Sequence, residues 1–587
     1  MAVVLLTTLA WIYSFAAGIH AFLAPILLKV IPSRQILRLI FLTYLFQVVL
    51  LPAVIYVWYS NDVARTQKRR DSVAHTQEET RALLAEGSSP RETGTLRNRR
   101  SSDHRTSPTV SSPGGSVLMP ERKTLGEFLL KRKLRTGIMV LALLANTVLF
   151  GLCMDFVFRP FLFAKHHDLE MTRVGGVGPS FAKIFLRSRR SAMVSLDYKR
   201  SGTSDDWATC ETGLEVVPSN DYTAVGTCTN LSPNTLYQYR WKDSEGSSLL
   251  GDRDWENMHF TTAPATLEPT RYSFAFTSCV KPGFPYGTKR IEKGIRGFRE
   301  MGKQDLSFVM FLGDLIYADA PHLYGTDVDT YRWHYRYLYS HADFKDTFRS
   351  LPFLTIYDDH EILNDWESDH QAPYPAAFKA FNEYAGLTNP HKDANQSAIF
   401  EYAYGDTAFF VMDTRGYRNF QEGTMLGAPQ KARLKQWLLE VKHTATVKFL
   451  VTSVPFTQNW QWERRDTWAG YLKERQEILD FITTNDIRNV LAISGDRHEV
   501  AITRLPGNVI EFSTSPLQAF YSPIETYMET AEDQKIFSWR PGNIKWGMFT
   551  IDTKRKIPTA TYALFVNDYQ DTPVYEKTFE LERIAKQ

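Results

Sequence analysis

Residues Phe308 to Asp319 read FVMFLGDLIYAD. Five apolar residues, Phe308 to Leu312, precede a glycine; Asp314 follows, and Tyr317 stands three positions further on. So short an apolar run, bounded by glycine, predicts a strand buried on both faces. A carboxylate at the C-terminal end of such a strand stands where open α/β sheets place their ligands. Asp and Tyr together offer oxygen donors suited to a hard, highly charged cation. In isolation, a capping Asp in a strand-to-loop turn has the same appearance, so the surrounding segments decide.

From Tyr272 onward the apolar segments YSFAFTSC, LSFVMFLGD, LPFLTIYDDHE, TAFFVMDTR, VKFLVTSVPF, NVLAISGDRH and NVIEFSTSP alternate with amphipathic stretches such as PQKARLKQWLLEVKH. That alternation predicts an α/β domain with helices outside layered sheets. The strands end in Cys279, in Asp314, in Asp358-Asp359-His360-Glu361, in Asp413-Thr414-Arg415 and in Asp496-Arg497-His498. Strand ends on one edge of a sheet converge, and like charges gathered there repel unless cations lie among them. The donors are those of a two-metal hydrolytic site.

In this order, FAFTSC, FLGDLIYAD, YDDHEILNDW, VMDTRGYR, WAGYLKER, SGDRH and EFSTSP resemble the PhoD-like alkaline phosphatases and phosphodiesterases of the metallophosphoesterase superfamily. The resemblance covers about residues 170–580. It implies a metallophosphoesterase-like layered sheet domain over 270–587, holding Fe3+ and Ca2+, with other divalent metals open. It implies Cys279 as a thiolate iron ligand, Asp314 as the bridging carboxylate and Tyr317 as the tyrosinate on ferric iron. It implies Asp359 or Asn364 as a ligand to the neighbouring metals, Asp496 and His498 as the final metal motif, and His360 as the contact to the scissile phosphate. Arg415 and Arg418 are expected to hold phosphate oxygens, Arg415 foremost because a guanidinium chelates two oxygens. The implied activity is hydrolysis of phosphate mono- or diesters through a metal-bound hydroxide; a membrane anchor, read from the apolar segments below, would bring lipid-linked esters within reach. Two readings compete. A purple-acid-phosphatase-like monoesterase shares the sandwich and the DxxY pattern, but here Cys279 replaces Asp and GDRH replaces a GHxH ending. The other is a catalytically silent membrane scaffold.

The rest of the chain places this domain. Three apolar segments reach the ~20 residues a bilayer crossing takes: two transmembrane helices within 1–59 and a third over 136–160. Between them, 60–135 is basic and serine-rich, with QKRR at 67–70, RNRRSSDHR at 97–105 and KRKLR at 131–135. It is expected to be a disordered cytosolic linker. The protein is then integral and multi-pass, with the catalytic domain lumenal or extracellular. Lys29, Arg34 and Arg38 in the first hairpin run against this orientation; the sequons at Asn230 and Asn395 agree with it. Residues 165–265 carry short alternating strands and predict a fibronectin-III-like β-sandwich. A Cys210–Cys228 disulfide is allowed there. The net charge of +3 argues neither for nor against a nucleic-acid partner, and none is expected.

Overall fold

The computed structural model describes residues 2–86, 125–163, 166–250, 258–287, 294–367, 370–390, 398–460 and 462–584. The chain forms two compact units, Met1–Leu23 with Arg38–Gly151, and Ala24–Leu37 with Leu152–Gln587.

Helices α1 (Ala2–Lys29), α2 (Arg34–Glu86) and α3 (Leu125–Phe163) are each long and apolar enough to cross a membrane. Within the first unit a polar cluster ties them together: Asn146 donates to the Gln47 side chain at 2.7 Å and to the Ala17 carbonyl at 3.1 Å. Such bonds hold helices together where no water competes. The linker expectation needs correction at both ends. α2 continues past residue 60 to Glu86, and α3 already begins at Leu125. The α2 extension is polar on all sides and is supported by pairs one turn apart, Gln67 with Asp71 and His75 with Glu79. Residues 87–124 lie outside the described residues, as does Asn395.

In the second unit, a sandwich of three strands (171–177, 182–187, 223–228) on four (192–200, 208–216, 236–243, 259–261) encloses Trp241, Tyr239 and Leu196. The Cys210–Cys228 disulfide links its two sheets.

The C-terminal domain stacks two further sheets. In the six-stranded sheet, 353–356, 308–312 and 271–277 run parallel and 545–552, 559–566 and 575–580 complete it antiparallel. In the seven-stranded sheet, 407–411, 447–451, 490–494 and 510–514 are parallel. Strand 308–312 shows why its sequence is apolar throughout. Phe308, Met310 and Leu312 face the aromatic core between the sheets, with Phe274, Phe409, Phe449 and Phe549. Val309 and Phe311 face the outer layer with Phe298, Phe344 and Phe353. A second outer layer, carrying Leu434, Trp437 and Ile478, covers the seven-stranded sheet. Helices therefore flank both sheets, and the parallel strands bring their C-terminal loops to a common rim.

Candidate metal centre

Among the described residues, four groups of side chains place donor atoms within 4.8 Å of one another. They are Cys279–Asp314–His498, Asp314–Asp359–His360, Asp314–Asp358–Asp496 and Asp359–Asp365–Asp466. Asp314 belongs to three of the four, which is the placement a bridging ligand requires. Its Oδ2 accepts from Cys279 Sγ at 3.3 Å and from the Tyr317 hydroxyl at 3.1 Å; that hydroxyl also lies 3.0 Å from His498 Nε2. His498 Nδ1 meets the Phe520 carbonyl at 2.6 Å, which fixes the proton on Nδ1 and leaves Nε2 free to ligate.

The local backbone is bent to present these groups. Cys279, Asp314, Asp496 and His498 all have left-handed φ values, 63°, 55°, 69° and 57°. For residues other than glycine this costs about 1–3 kcal/mol each, and such strain gathers at functional sites. Gly313, at φ 97°, permits the close approach to the next strand end: a Cβ there would fall 2.5 Å from that of Asp358. Glu361 staples the turn, its carboxylate accepting the amides of Asp314, Leu315 and Asp358 at 3.0, 2.5 and 2.8 Å. It is thus a backbone anchor, and burial pushes its pKa up to about 7.

The electrostatics supply a test for cations. Buried Asp314 Oδ1, Asp359 Oδ1 and Asp496 Oδ2 have no hydrogen-bond partner among the described residues. Unmet carboxylate oxygens in an interior are costly. Burial holds the carboxyls of Asp314 and Asp496 well above the usual range, and neighbouring carboxylates add to it. Burial likewise pushes Asp359 up to about 6, against the pull of Arg415. The Cys279 thiol and Tyr317 phenol are raised by burial and by Asp314. A bound cation reverses each of these shifts, so the donor set fits metal ions.

The sequence candidates meet here, except that the two arginines expected on phosphate, Arg415 and Arg418, are turned to carboxylates. Asp359 joins the donor groups, and Asn364 lines the same cleft and gives its backbone amide to Asp319 at 2.8 Å. Arg415 is fully buried and already committed. Its Nε and Nη2 grip Asp358 at 2.5 and 3.1 Å, and Nη1 donates to Asp466, which Arg418 also holds at 2.8 Å. A fork that chelates phosphate chelates carboxylate equally well, and here carboxylates occupy it. The arginine that lines the cleft beside the donors is Arg497; its Nη1 and Nη2 donate to Glu463 and to the Trp462 carbonyl at 3.3 Å each, at the cleft edge, and its Nε is unpartnered among the described residues. Asp466 is a further residue the strand-end pattern did not expose, because it lies in a short 3-10 turn.

Asp319 is another. Its Oδ1 lies 2.6 Å from His360 Nδ1, so the imidazole proton sits there and Nε2 is left as the ring's other nitrogen, with His360 grouped beside Asp314 and Asp359. Asp319→Asn is expected to lower turnover of an aryl phosphate ester about 10–100-fold with metal content retained. Loss of the metals together with activity would instead make Asp319 part of the metal scaffold.

Strand-end carboxylates, imidazoles and a thiol form a candidate metal centre on a two-sheet layered domain of metallophosphoesterase-like fold. Residues 274–562 match the family model of PhoD-like phosphatases, and this domain belongs to that family. The chain is 26% identical to alkaline phosphatase D of Bacillus subtilis over 319 residues, covering 46% of this chain; it spans about half, 52%, of that relative. Among solved structures, one of PhoD aligns at 18% identity with a TM-score of 0.49, over 70% of this chain and 92% of that one. A purple acid phosphatase from yellow lupin seeds aligns at 12% identity with a TM-score of 0.52, over 70% and 74%. The lupin likeness concerns the fold alone.

Proposed function

We propose that the protein is a metal-dependent phosphoric ester hydrolase. The observation that carries this reading is Asp314, shared by three donor groups in an interior where three carboxylate oxygens have no hydrogen-bond partner among the described residues. A silent scaffold would have no use for four strained donors. Cys279, Asp314, Tyr317 and His498 would hold one ion, and their thiolate and phenolate suit Fe3+; the all-oxygen group Asp359, Asp365 and Asp466 suits Ca2+ or another hard ion. When bound, the ions withdraw charge from phosphate oxygens and acidify a water toward neutrality. Arg497 would take a non-bridging phosphate oxygen. His360, held by Asp319, would donate from Nε2 to the phosphate as negative charge builds on it. Water then gives its oxygen to phosphorus and its proton to the departing alcohol.

The anchor and orientation belong to the same proposal. With three crossings, the α1–α2 turn and everything after α3 emerge on the same face whatever the orientation of the first helix. Lys29 donates to the Tyr286 carbonyl within the second unit, so its charge serves a contact and no longer argues for a cytosolic turn. The exposed sequon Asn230 would carry glycan on the lumenal or extracellular side.

The test is metal analysis of purified full-length protein coupled to a panel of phosphate mono- and diesters. The expected preparation contains iron and is coloured by phenolate-to-iron charge transfer, and Tyr317→Phe loses the band. A colourless, iron-free, fully active enzyme overturns the iron assignment. Metal-replete protein that hydrolyses no ester overturns the hydrolase.

A further inference from the structure

One wall of the metal cleft is not explained by hydrolysis. The cleft holds about 360 Å³, and Ile31 lines it together with Asp314, Asp496 and His498. Ile31 lies in the turn between α1 and α2. The candidate span Thr8–Lys29 ends two residues before it, and α2 begins three residues after it. Two residues of chain reach at most ~7 Å, about the depth of one headgroup layer. Where α1 crosses a bilayer, Ile31 therefore lies at the headgroup level.

The turn is fastened to the catalytic domain. The Tyr286 amide donates to the Leu28 carbonyl at 2.8 Å, and Lys29 donates to the Tyr286 carbonyl. The same tyrosine's hydroxyl donates to Asp155 of α3 at 2.7 Å. Tyr324 donates to the Val157 carbonyl and stacks on Phe161 at 5.3 Å. Ends of two candidate spans are thus joined to the elements around the site. Two large apolar side chains stand open to solvent on the rim, Trp462 at 52% and Ile524 at 50% exposure, and the exposed or part-exposed polar residues Asn364, Asp365, Glu463 and Arg497 line the same cleft. Half-exposed tryptophan is characteristic of the membrane–water interface.

We infer that the site takes phosphate esters of membrane lipids, entered from the bilayer surface, with Ile31, Trp462 and Ile524 against the lipid's apolar part. This rests on the hydrolase reading and names its substrate class. The bond broken is phosphorus to the lipid alcohol or headgroup oxygen, water supplying hydroxyl to phosphorus and a proton to the leaving oxygen.

The test uses metal-replete full-length protein in phosphatidylcholine nanodiscs doped with phosphatidic acid or phosphatidylglycerol. It is compared with the water-soluble glycerol 3-phosphate and glycerophosphoglycerol, and with aryl phosphate mono- and diesters. At least one lipid ester is expected to be turned over faster than its soluble counterpart. The Trp462→Ser/Ile524→Ser double variant is expected to lower the ratio of lipid to aryl-ester turnover at least ~10-fold, the effect of withholding one buried aliphatic side chain. Ile31→Ser, at the turn, is expected to lower the ratio in the same direction. Soluble esters cleaved as well as lipids, with the ratio unmoved in the variants, overturns the lipid assignment and leaves the hydrolase standing. Aryl-ester turnover that rises in Ile31→Ser without loss of the lipid preference makes the turn a plug and also overturns it. Hydrolysis of no ester at all removes the hydrolase reading and this one with it.

Discussion

Asp314→Asn is expected to lower kcat for a generic aryl phosphate ester by at least ~10³-fold, about 4 kcal/mol of transition-state stabilisation. The substitution is nearly isosteric, and the backbone amide that Glu361 holds is untouched, so the turn should persist. What is lost is an anionic oxygen common to three donor groups; an amide nitrogen in its place cannot ligate. Metal stoichiometry should fall with kcat, and near-normal turnover at full metal content would refute the bridging role. The metal-free protein should respond in the opposite direction. Burial and neighbouring carboxylates hold the folded Asp314 pKa far above the usual range. Its ionised form therefore costs stability at every pH above the unfolded value of about 3.9, and the cost disappears as pH falls below that. Asp314→Asn removes the cost, so the metal-free variant should unfold at a higher temperature than its metal-free parent near neutral pH. A lower melting temperature would mean that the carboxylate is a structural hydrogen-bond acceptor first.

The parts of this site that could be read from sequence are those written into strand ends. Phe308–Leu312 is apolar at every position because one set of alternate residues faces Phe274 and Phe449 and the other faces Phe298 and Phe353. A strand so buried has one place for a charge, the loop that leaves it, and Cys279, Asp314, Asp359 and Asp496 all occupy such loops. Residues that act across the chain carried no local pattern. Asp319 ends the quoted FVMFLGDLIYAD, yet only coordinates bring it to His360, 41 positions away. Asp466 comes from a turn with no periodicity to mark it. Arg497 stood in plain view between two ligands, but its direction into the cleft is a property of the left-handed residues on either side. Residues 60–86 misled in the other direction. Low apolar content argues against a buried core, not against a solvated helix continuing a long apolar one.

Arg415 is where residue chemistry alone pointed to the wrong partner, and it carries the second large effect. Arg415→Met is expected to destabilise the protein by about 3–5 kcal/mol, the usual result of removing one member of a buried ion-pair cluster. Methionine approximates the stem but leaves Asp358 and Asp466 facing each other's surroundings without their shared cation. Asp466 is now held to about pKa 2, Arg415 being the foremost attraction against the cost of burial. Because that folded pKa lies below the unfolded value, the stabilisation is present above about pH 4 and is lost as pH falls through 2. The Met variant should therefore lose most stability near neutrality and differ least from its parent in acid. Thermal unfolding of the detergent-solubilised full chain across this pH range measures it. Turnover should fall as well, since Asp358 and Asp466 belong to two of the donor groups, and it should fall with reduced metal content. If Arg415 instead reached the substrate, the same variant would raise KM with melting temperature and metal content unmoved. The two roles therefore separate on a single protein: a clamp on carboxylates shows in unfolding and metal content, whereas a clamp on phosphate shows in KM alone.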